Sequence, residues 1–219
     1  MINIKKTVVI TTESAVDRRV KLVENMRRIN FHDVLPVPQS WFYGDAKFHD
    51  FKPVPIFPRR WDYSIGAWYC REAHRTVLQQ FVNESYAGEY ICVMEDDCVF
   101  AESFIENTKS ILSFIHAGFD VLMLGGQHLR GQPAARDFRQ LFCRINNPVN
   151  RLHCYIVSFE GAKKCLRLIE SDILGLQVDD IIGYAYPQLE MFAAIPFVVG
   201  QSSGVSQTSG CTVMERFWN

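Results

Sequence analysis

The stretch Tyr90–Ala101, YICVMEDDCVFA, decides the fold class, because a short apolar run ends there in three adjacent carboxylates. An apolar run of this length is typical of a buried strand in a parallel sheet, although its periodicity also fits a helix segment. Buried acids would repel each other and lose hydration, unless they lie at the end of the strand with a cation to bind. Ligands of open α/β sheets bind at that end of the strands. We therefore predict a binding site at Glu95, Asp96 and Asp97, with a solvated acidic turn as the alternative.

Oxygen ligands at the end of a strand favour a hard divalent cation. Mg²⁺ and Mn²⁺ take carboxylates together with substrate phosphates, so the apolar flanks on both sides of the acids favour a metal site. A second acidic pair, Asp179-Asp180, also lies between apolar residues in LGLQVDDIIGYAY. This pair is a second candidate functional site, or it only stabilises the N-terminus of a helix.

Length and composition indicate one globular domain, or a domain with a small appendage. The 219 residues are 48% hydrophobic, and the net charge of −1 gives no general attraction to nucleic acid or an anionic membrane. The seven cysteines form no CxxC pair, which indicates reduced thiols. No apolar stretch approaches the roughly 18 residues that a membrane span requires. We therefore expect a cytoplasmic protein with no membrane span, whose core contains Cys92, Cys98, Cys154 and Cys165.

Strands and helices alternate along the chain, which predicts an α/β fold with a mostly parallel central sheet flanked by helices. We expect one domain over 1–200 and a flexible C-terminal tail over 201–219, where Ser, Gly and Gln are frequent. The predicted strands are 7–11, 33–38, 90–94, 120–124, 141–145, 153–158 and 195–200. The first predicted helix follows Ser14 as its N-cap, and the others are 64–85, 102–117 and 160–170.

Four further features of the sequence have an expected role, and for one of them two roles are possible. The aromatic residues of 39–62 either stack on a sugar or a base or pack over the core. The basic stretch Arg130–Arg151 suits an anionic ligand such as lipopolysaccharide or nucleic acid, because Arg makes bidentate contacts to phosphate. Gly125-Gly126 follow a predicted strand and allow a close backbone approach to a ligand. His74, beside the apolar stripe of its helix, is expected to be a hydrogen-bonded structural residue.

Several stretches, taken in order, resemble the glycosyltransferases of family 25, which include lipopolysaccharide-biosynthesis enzymes and collagen galactosyltransferases. VVITTESAVDRRVKLVENM is similar to the first strand and Arg-rich helix of that family, with Thr11-Thr12 where Asn-Leu is usual. IGAWYCREAHRTVLQQF resembles its Gly-Cys-x-x-Ser-His helix, in which His74 matches and Ala73 replaces Ser. YICVMEDDCVF resembles its Glu-Asp-Asp motif, and the later blocks are DVLMLGG, HCYIVSFEGAKKCL and Val178–Asp180. The resemblance spans about residues 7–200.

The resemblance implies a GT-A fold and the transfer of a sugar from a nucleotide-diphosphate sugar to an acceptor hydroxyl. In GT-A enzymes the last acid of the motif usually binds Mn²⁺ or Mg²⁺, which implies that Asp97 is the metal ligand. Glu95 or Asp96 then supports the metal or the ribose of the nucleotide. The cation would neutralise the negative charge that develops on the leaving phosphates.

The resemblance also implies a base and a nucleotide site. Attack by an acceptor hydroxyl requires a base, and Asp179 or Asp180 matches the later acidic position of the family. Thr11, Thr12 and Arg18, on the first strand and its helix, are the candidates for contacts to the nucleotide.

Two other classes of function remain open at this point. A nucleotidyltransferase also uses carboxylates and Mg²⁺ on an α/β sheet, but it would need a Gly-rich loop after the first strand, and TTESAVDRR contains no glycine. The departures at Thr11-Thr12 and Ala73 leave room for a non-catalytic module that binds a nucleotide or a sugar. The acceptor is undetermined between a glycan, a protein side chain, a lipid-linked sugar, lipopolysaccharide and a hydroxylated nucleobase of nucleic acid.

Overall fold

The computed structural model describes residues 2–44, 65–115, 117–128, 141–173, 175–205 and 212–216. The helices of these residues are α1 (Val16–Arg28), α2 (Ile65–Glu84), α3 (Phe104–Phe114), α4 (Phe159–Ser171) and α5 (Val178–Gly183). The strands are β1 (Asn3–Thr11), β2 (Ser40–Tyr43), β3 (Glu89–Glu95), β4 (Cys98–Phe100), β5 (Val121–His128), β6 (Phe142–Arg144), β7 (Val149–Ser158), β8 (Met191–Ala194), β9 (Val199–Gln201), β10 (Gly204–Val205) and β11 (Thr212–Val213).

Seven of the described strands form the central sheet, in the order β2-β1-β3-β7-β5-β8-β6. β1 pairs in parallel with β2 and β3, and β5 pairs in parallel with β8. β7 is antiparallel to both β3 and β5, and β6 is antiparallel to β8, so five of the seven strands share one direction. The predicted α/β fold, with a mostly parallel sheet flanked by helices, is confirmed.

The apolar core lies on both faces of this sheet. On β3, Ile91 and Val93 pack with α2, α4 and α5, whereas Cys92 and Met94 pack with α1 and α3. Side chains of a strand alternate between its faces, so a strand buried on both sides has a continuous apolar run. The same alternation directs Glu95, the last residue of β3, toward α2.

The prediction of an edge strand over 33–38 is wrong. A 3₁₀ helix occupies Phe31–Asp33, and β2 begins only at Ser40, beyond Pro36 and Pro38. Proline has no backbone N–H to donate to a neighbouring strand. Strand pairing therefore begins only after the two prolines.

Two other predicted boundaries also differ from the structure. α1 has Ala15 as its N-cap and no side-chain hydrogen bond there, so the predicted cap at Ser14 is wrong. The predicted strand over 195–200 is shifted, because β8 ends just before it and β9 begins at Val199.

The cysteines expected in the core, Cys92, Cys98, Cys154 and Cys165, are all buried.

The predicted end of the domain at residue 200 falls inside β9. β9 pairs with β4, with Cys98 opposite Gln201, and the backbones of Gln201 and Arg216 exchange two hydrogen bonds. The flexibility of the tail stays a prediction, but its first residue belongs to a strand that lies beside the acidic turn.

Two glycines let helices lie very close to the sheet. A Cβ atom on Gly161 in α4 would overlap the backbone of Asp120, and a Cβ atom on Gly183 in α5 would overlap the carbonyl oxygen of Val149. Only glycine allows so close an approach. The position of α5, and with it that of Asp179, is therefore fixed against the start of β7.

Within the described part of the chain, no helix combines the length and the apolar character that crossing a membrane requires.

Candidate functional site

The carboxyl ends of β1 and β3 lie side by side, because the two strands pair in parallel. Ile10 is the partner of Glu95, so Thr11, the last residue of β1, lies beside Asp96. β7 is antiparallel to β3, so its first half, 149–153, reaches the same edge of the sheet. This edge therefore collects the acids of the central motif, the end of β1 and the beginning of β7.

Asp96 is buried, with 5% of its surface exposed, and has a partner on each carboxylate oxygen. Thr11 Oγ1 donates to Oδ2 at 2.6 Å, and Arg18 Nη1 donates to Oδ1 at 3.2 Å. Burial raises the pKa of Asp96, although the Thr11 hydrogen bond and the Arg18 charge oppose this. The structure thus brings together three of the residues predicted to bind the nucleotide. Asp96 orients Thr11 and Arg18, and its own contact with a ribose stays a prediction.

Thr12 lies in the turn that leads from β1 into α1. Its hydroxyl is 3.2 Å from Ser14 Oγ, and its carbonyl oxygen accepts a hydrogen bond from Arg19 Nη1. The Arg19 guanidinium also lies 5.2 Å from the ring centroid of Tyr43. These contacts shape the turn from which α1 presents Arg18 to the acids.

Asp97 is buried, and only one of its carboxylate oxygens has a hydrogen-bond partner. Gln201 Nε2 donates to Oδ2 at 2.9 Å, and Arg18 Nη1 lies 3.7 Å from the same oxygen. Oδ1 is buried without a partner among the described residues. Burial and the negative charge of Glu95 raise the pKa of Asp97 to about 7. A buried acceptor that lacks a donor is what a bound cation would satisfy.

Glu95 faces α2, where it meets two side chains one helical turn apart. His74 Nε2 lies 3.4 Å from Glu95 Oε1, and Cys70 Sγ lies 3.5 Å from the same oxygen. Burial raises the pKa of Glu95, but the hydrogen bond and charge of His74 outweigh this, so that the pKa is lowered. Burial, with the charges of Glu95 and Asp179, raises the pKa of the Cys70 thiol well above its ordinary value.

A cavity of about 80 Å³ lies between α2, β3, β7 and α5. Its polar lining consists of Cys70, Glu95, Arg151, Gln177, Asp179 and Gln201. Asp179 Oδ2 accepts a hydrogen bond from the Arg151 backbone at 3.4 Å. Burial and the charges of Asp180 and Glu95 raise the pKa of Asp179 to about 6. Asp179 therefore shares one enclosed space with Glu95.

Asp180 lies against a different cavity, although it is adjacent to Asp179 in the sequence. Successive residues of a helix point in directions about 100° apart. Asp180 lines a more open groove of about 610 Å³, together with Leu176, Tyr184 and Gln188. Of the two aspartates predicted as the base, the structure thus brings Asp179, and not Asp180, to the cavity of the central motif.

Arg151 and Gln201 connect the strands around this cavity. Arg151 Nη1 donates to Gln201 Oε1 at 2.6 Å, and Arg151 Nε donates to Gln127 Oε1 at 3.1 Å. Gln201 in turn donates to Asp97, so its amide orientation is fixed from both sides. Arg151 has a left-handed backbone, with φ 68°, which is uncommon for a residue other than glycine and is often found at functional sites.

The sequence alone predicts other roles for these residues. It places Arg151 at the end of the basic stretch, Gln201 in the predicted tail and Cys70 in an apolar helical stripe. The signal that could have identified Cys70 is its spacing of four residues from His74, which places both on one helix face. Gln201 and Arg151 carry no comparable local signal.

Gly125 allows a close approach, but the groups that approach it belong to the protein itself. A Cβ atom there would overlap the His153 ring and the carbonyl oxygen of Val199. The prediction that Gly125-Gly126 approach a ligand is therefore corrected.

In the aromatic segment, Trp41 and Phe42 pack against the core. Residues 45–62 of that segment lie outside the described residues, and so do residues 129–140 of the basic stretch.

The residues present fit a divalent cation with guanidinium groups nearby. Asp97 Oδ1, which is buried without a partner among the described residues, is a hard oxygen donor of the kind that such a cation takes, and the negative charge of Glu95 acts on the same carboxylate. Arg18 contacts Asp96 and Asp97, and Arg151 lines the same cavity as Glu95. Guanidinium groups in these positions are suited to the oxygens of a diphosphate.

The sequence matches no protein-family model and no curated protein. Among solved structures, the chain is similar to a glycosyltransferase involved in the glycosylation of the major capsid of PBCV-1, with 12% identity, 86% of this chain and 81% of that chain covered, and a TM-score of 0.44. It is also similar to a UDP-glucose pyrophosphorylase complexed with UDP-glucose, with 9% identity, 89% and 90% covered, and a TM-score of 0.46. A third is mouse xyloside xylosyltransferase 1, with 10% identity, 84% and 83% covered, and a TM-score of 0.41. At these identities the similarity concerns the fold alone.

Proposed function

We propose that this chain is a metal-dependent glycosyltransferase of the GT-A type, related to family 25, that transfers a sugar from a nucleotide-diphosphate sugar to an acceptor hydroxyl. The observation that carries the proposal is the buried Asp97 carboxylate, whose Oδ1 has no partner among the described residues. It lies beside Glu95 at the carboxyl end of the central strands, where α/β sheets bind ligands.

Asp97 and Glu95 would hold the cation, which belongs to the Mn²⁺ and Mg²⁺ class. When bound, it supplies positive charge for the leaving diphosphate. Arg18 and Arg151 would contact the phosphate oxygens, and Thr11 and Asp96 would keep Arg18 in place through their hydrogen bonds. Donor binding therefore depends on groups from β1, α1, β3 and β7.

Asp179 would act as the base that removes the proton of the acceptor hydroxyl, if transfer inverts the anomeric configuration. Its pKa of about 6 lets it be ionised at neutral pH and still hold a proton with useful strength. The carboxylate shares the cavity with Glu95, so a base and a cation site are available to one substrate. The acceptor is a hydroxyl-bearing molecule such as a glycan, lipopolysaccharide or a modified nucleobase.

Incubation of the full chain with Mn²⁺, a panel of nucleotide-diphosphate sugars and hydroxyl-bearing acceptors of the classes named above tests the proposal, with the sugar passing to the acceptor hydroxyl or, more slowly, to water. We expect mass analysis to show release of a nucleoside diphosphate, and we expect Asp97→Ala to lower that release at least about 100-fold. Asp33→Ala is the matched control, because Asp33 is exposed and lies away from the acids. Circular dichroism of both variants establishes that each is folded.

Three results would contradict the proposal. Unchanged turnover in Asp97→Ala would remove the assigned metal ligand. Release of pyrophosphate would indicate nucleotidyl transfer instead. Binding of the nucleotide without any turnover over hours would indicate a non-catalytic binding module.

A further inference from the structure

Cys70 and His74 lie one turn apart on α2, and both side chains reach Glu95 at the end of β3. Residues four apart share a face of a helix. His74 Nε2 and Cys70 Sγ each lie close to the same oxygen, Glu95 Oε1, at 3.4 Å and 3.5 Å. All three atoms lie within 4.8 Å of one another, which is compatible with three ligands around a single metal ion.

His74 is held so that one ring nitrogen faces this cluster. Its Nδ1 lies 2.9 Å from the hydroxyl of Tyr155, and the two rings stack with their centroids 5.7 Å apart. Both side chains are fully buried. The second nitrogen of a metal-bound histidine is ordinarily held by such an outer partner. When Nδ1–H donates to the phenol oxygen, Nε2 keeps its lone pair for an ion.

One side of the cluster is open. Cys70 and Glu95 line the 80 Å³ cavity, and Asp179 lines the same cavity. Three protein ligands with one position facing a cavity is the arrangement of catalytic zinc sites, where water or a substrate group takes the fourth position.

The mixture of ligand atoms selects the kind of metal. A thiol sulfur, an imidazole nitrogen and a carboxylate oxygen suit Zn²⁺ and Co²⁺. Mg²⁺ prefers six oxygen ligands and keeps much of its water, so a buried thiol and an imidazole give it little. The ligand set therefore differs from the oxygen set at Asp97.

We propose that Cys70, His74 and Glu95 form a binding site for one zinc-class cation beside the cavity that Asp179 also lines. This site shares Glu95 with the proposed donor cation but does not need the proposed function, because its three ligands and their geometry are independent of any sugar nucleotide.

Titration of the cation-free full chain with Co²⁺ tests the site by optical absorption. We expect a thiolate-to-cobalt charge-transfer band in the near ultraviolet that saturates at one equivalent. Zn²⁺ should displace the cobalt and abolish the band, whereas excess Mg²⁺ should leave it unchanged. No nucleotide or acceptor is present, so the result does not depend on catalytic activity.

Three variants complete the test. Cys70→Ser should lose the band and bind Co²⁺ at least about tenfold more weakly, and Cys143→Ser, which alters a buried cysteine of β6, should retain both. Asp97→Asn should also keep the band, which separates this site from the proposed donor cation. Circular dichroism checks the fold of each variant.

The proposal would be overturned if the wild type gave no charge-transfer band, if the band survived in Cys70→Ser, or if Mg²⁺ displaced Co²⁺. Any of these results would leave Cys70, His74 and Glu95 as a hydrogen-bonded cluster only.

Discussion

Asp97 shows what a single residue contributes to this site. The sequence identifies it as the last acid of the Glu-Asp-Asp motif, and the structure buries it with Oδ1 unpaired among the described residues. Its position at the end of a strand follows from the apolar run before it. Its partner Gln201 could not be predicted, because it lies 104 positions further along the chain.

The Asp97→Asn variant should be more stable than the wild type at pH 8 in the absence of cations. The folded state binds the Asp97 proton more tightly than the unfolded chain does, so stability falls as pH rises from 3.8 to about 7 and stays lower above that. We expect a gain of about 2–4 kcal/mol in the free energy of unfolding at pH 8, and almost none near pH 4. Urea denaturation in EDTA at both values measures the difference. An equal effect at the two pH values would argue against a buried ionised carboxylate.

The neighbouring aspartates of α5 should behave differently in catalysis. Asp179→Asn should lower kcat for sugar transfer by about 100-fold or more, while the Kd of the donor changes little, because it removes the base. Asp180→Asn should leave kcat nearly unchanged, since Asp180 faces the separate groove. Steady-state kinetics and donor titrations of the pair test this. A larger loss of kcat in Asp180→Asn would reverse the assignment.

At the scale of whole elements, local sequence patterns predicted some parts well and others poorly. α2 runs over Ile65–Glu84 against a predicted 64–85, because its apolar positions recur with helical period over many turns. β2 and β8 were missed or misplaced, since they are short and their neighbours include prolines. Short strands take their stability from partners that the local sequence does not reveal.

The contact between α5 and β7 should be intolerant of a single added methyl group. Gly183→Ala would place its Cβ against the Val149 carbonyl oxygen, which is rigid backbone, so α5 must shift. We expect a loss of about 2–3 kcal/mol in the free energy of unfolding and a reduced rate of sugar transfer, because Asp179 moves with the helix. Urea denaturation and activity assays measure both effects.

Gly126→Ala is the comparison variant, because the methyl group it adds would meet side chains and not backbone. Its Cβ would lie 3.0 Å from Val149 Cγ1 and 3.2 Å from the Phe197 ring, and side chains can give way more easily than backbone. We expect the smaller loss of stability in this variant. A loss as large as that of Gly183→Ala would show that α5 is not held by the close approach.

At the scale of the whole molecule, the alternation of strands and helices was enough to predict the α/β class. The apolar run before the central acids was enough to place them at the carboxyl end of a strand, but not to show that the end of β1 lies beside them. Neither pattern could predict that β7 runs antiparallel between β3 and β5. That insertion carries Arg151 to the cavity of Glu95 and Tyr155 to His74, so part of the candidate site arises from a long-range pairing that no local pattern encodes.

The central claim is that the acids at the end of β3 hold a cation against a diphosphate. Calorimetric titration of the full chain with a nucleoside diphosphate, once with Mn²⁺ and once with EDTA, tests it most directly. We expect binding at least about tenfold tighter with Mn²⁺, and loss of that difference in Asp97→Asn. Equal affinity with and without Mn²⁺ in the wild type would contradict the account.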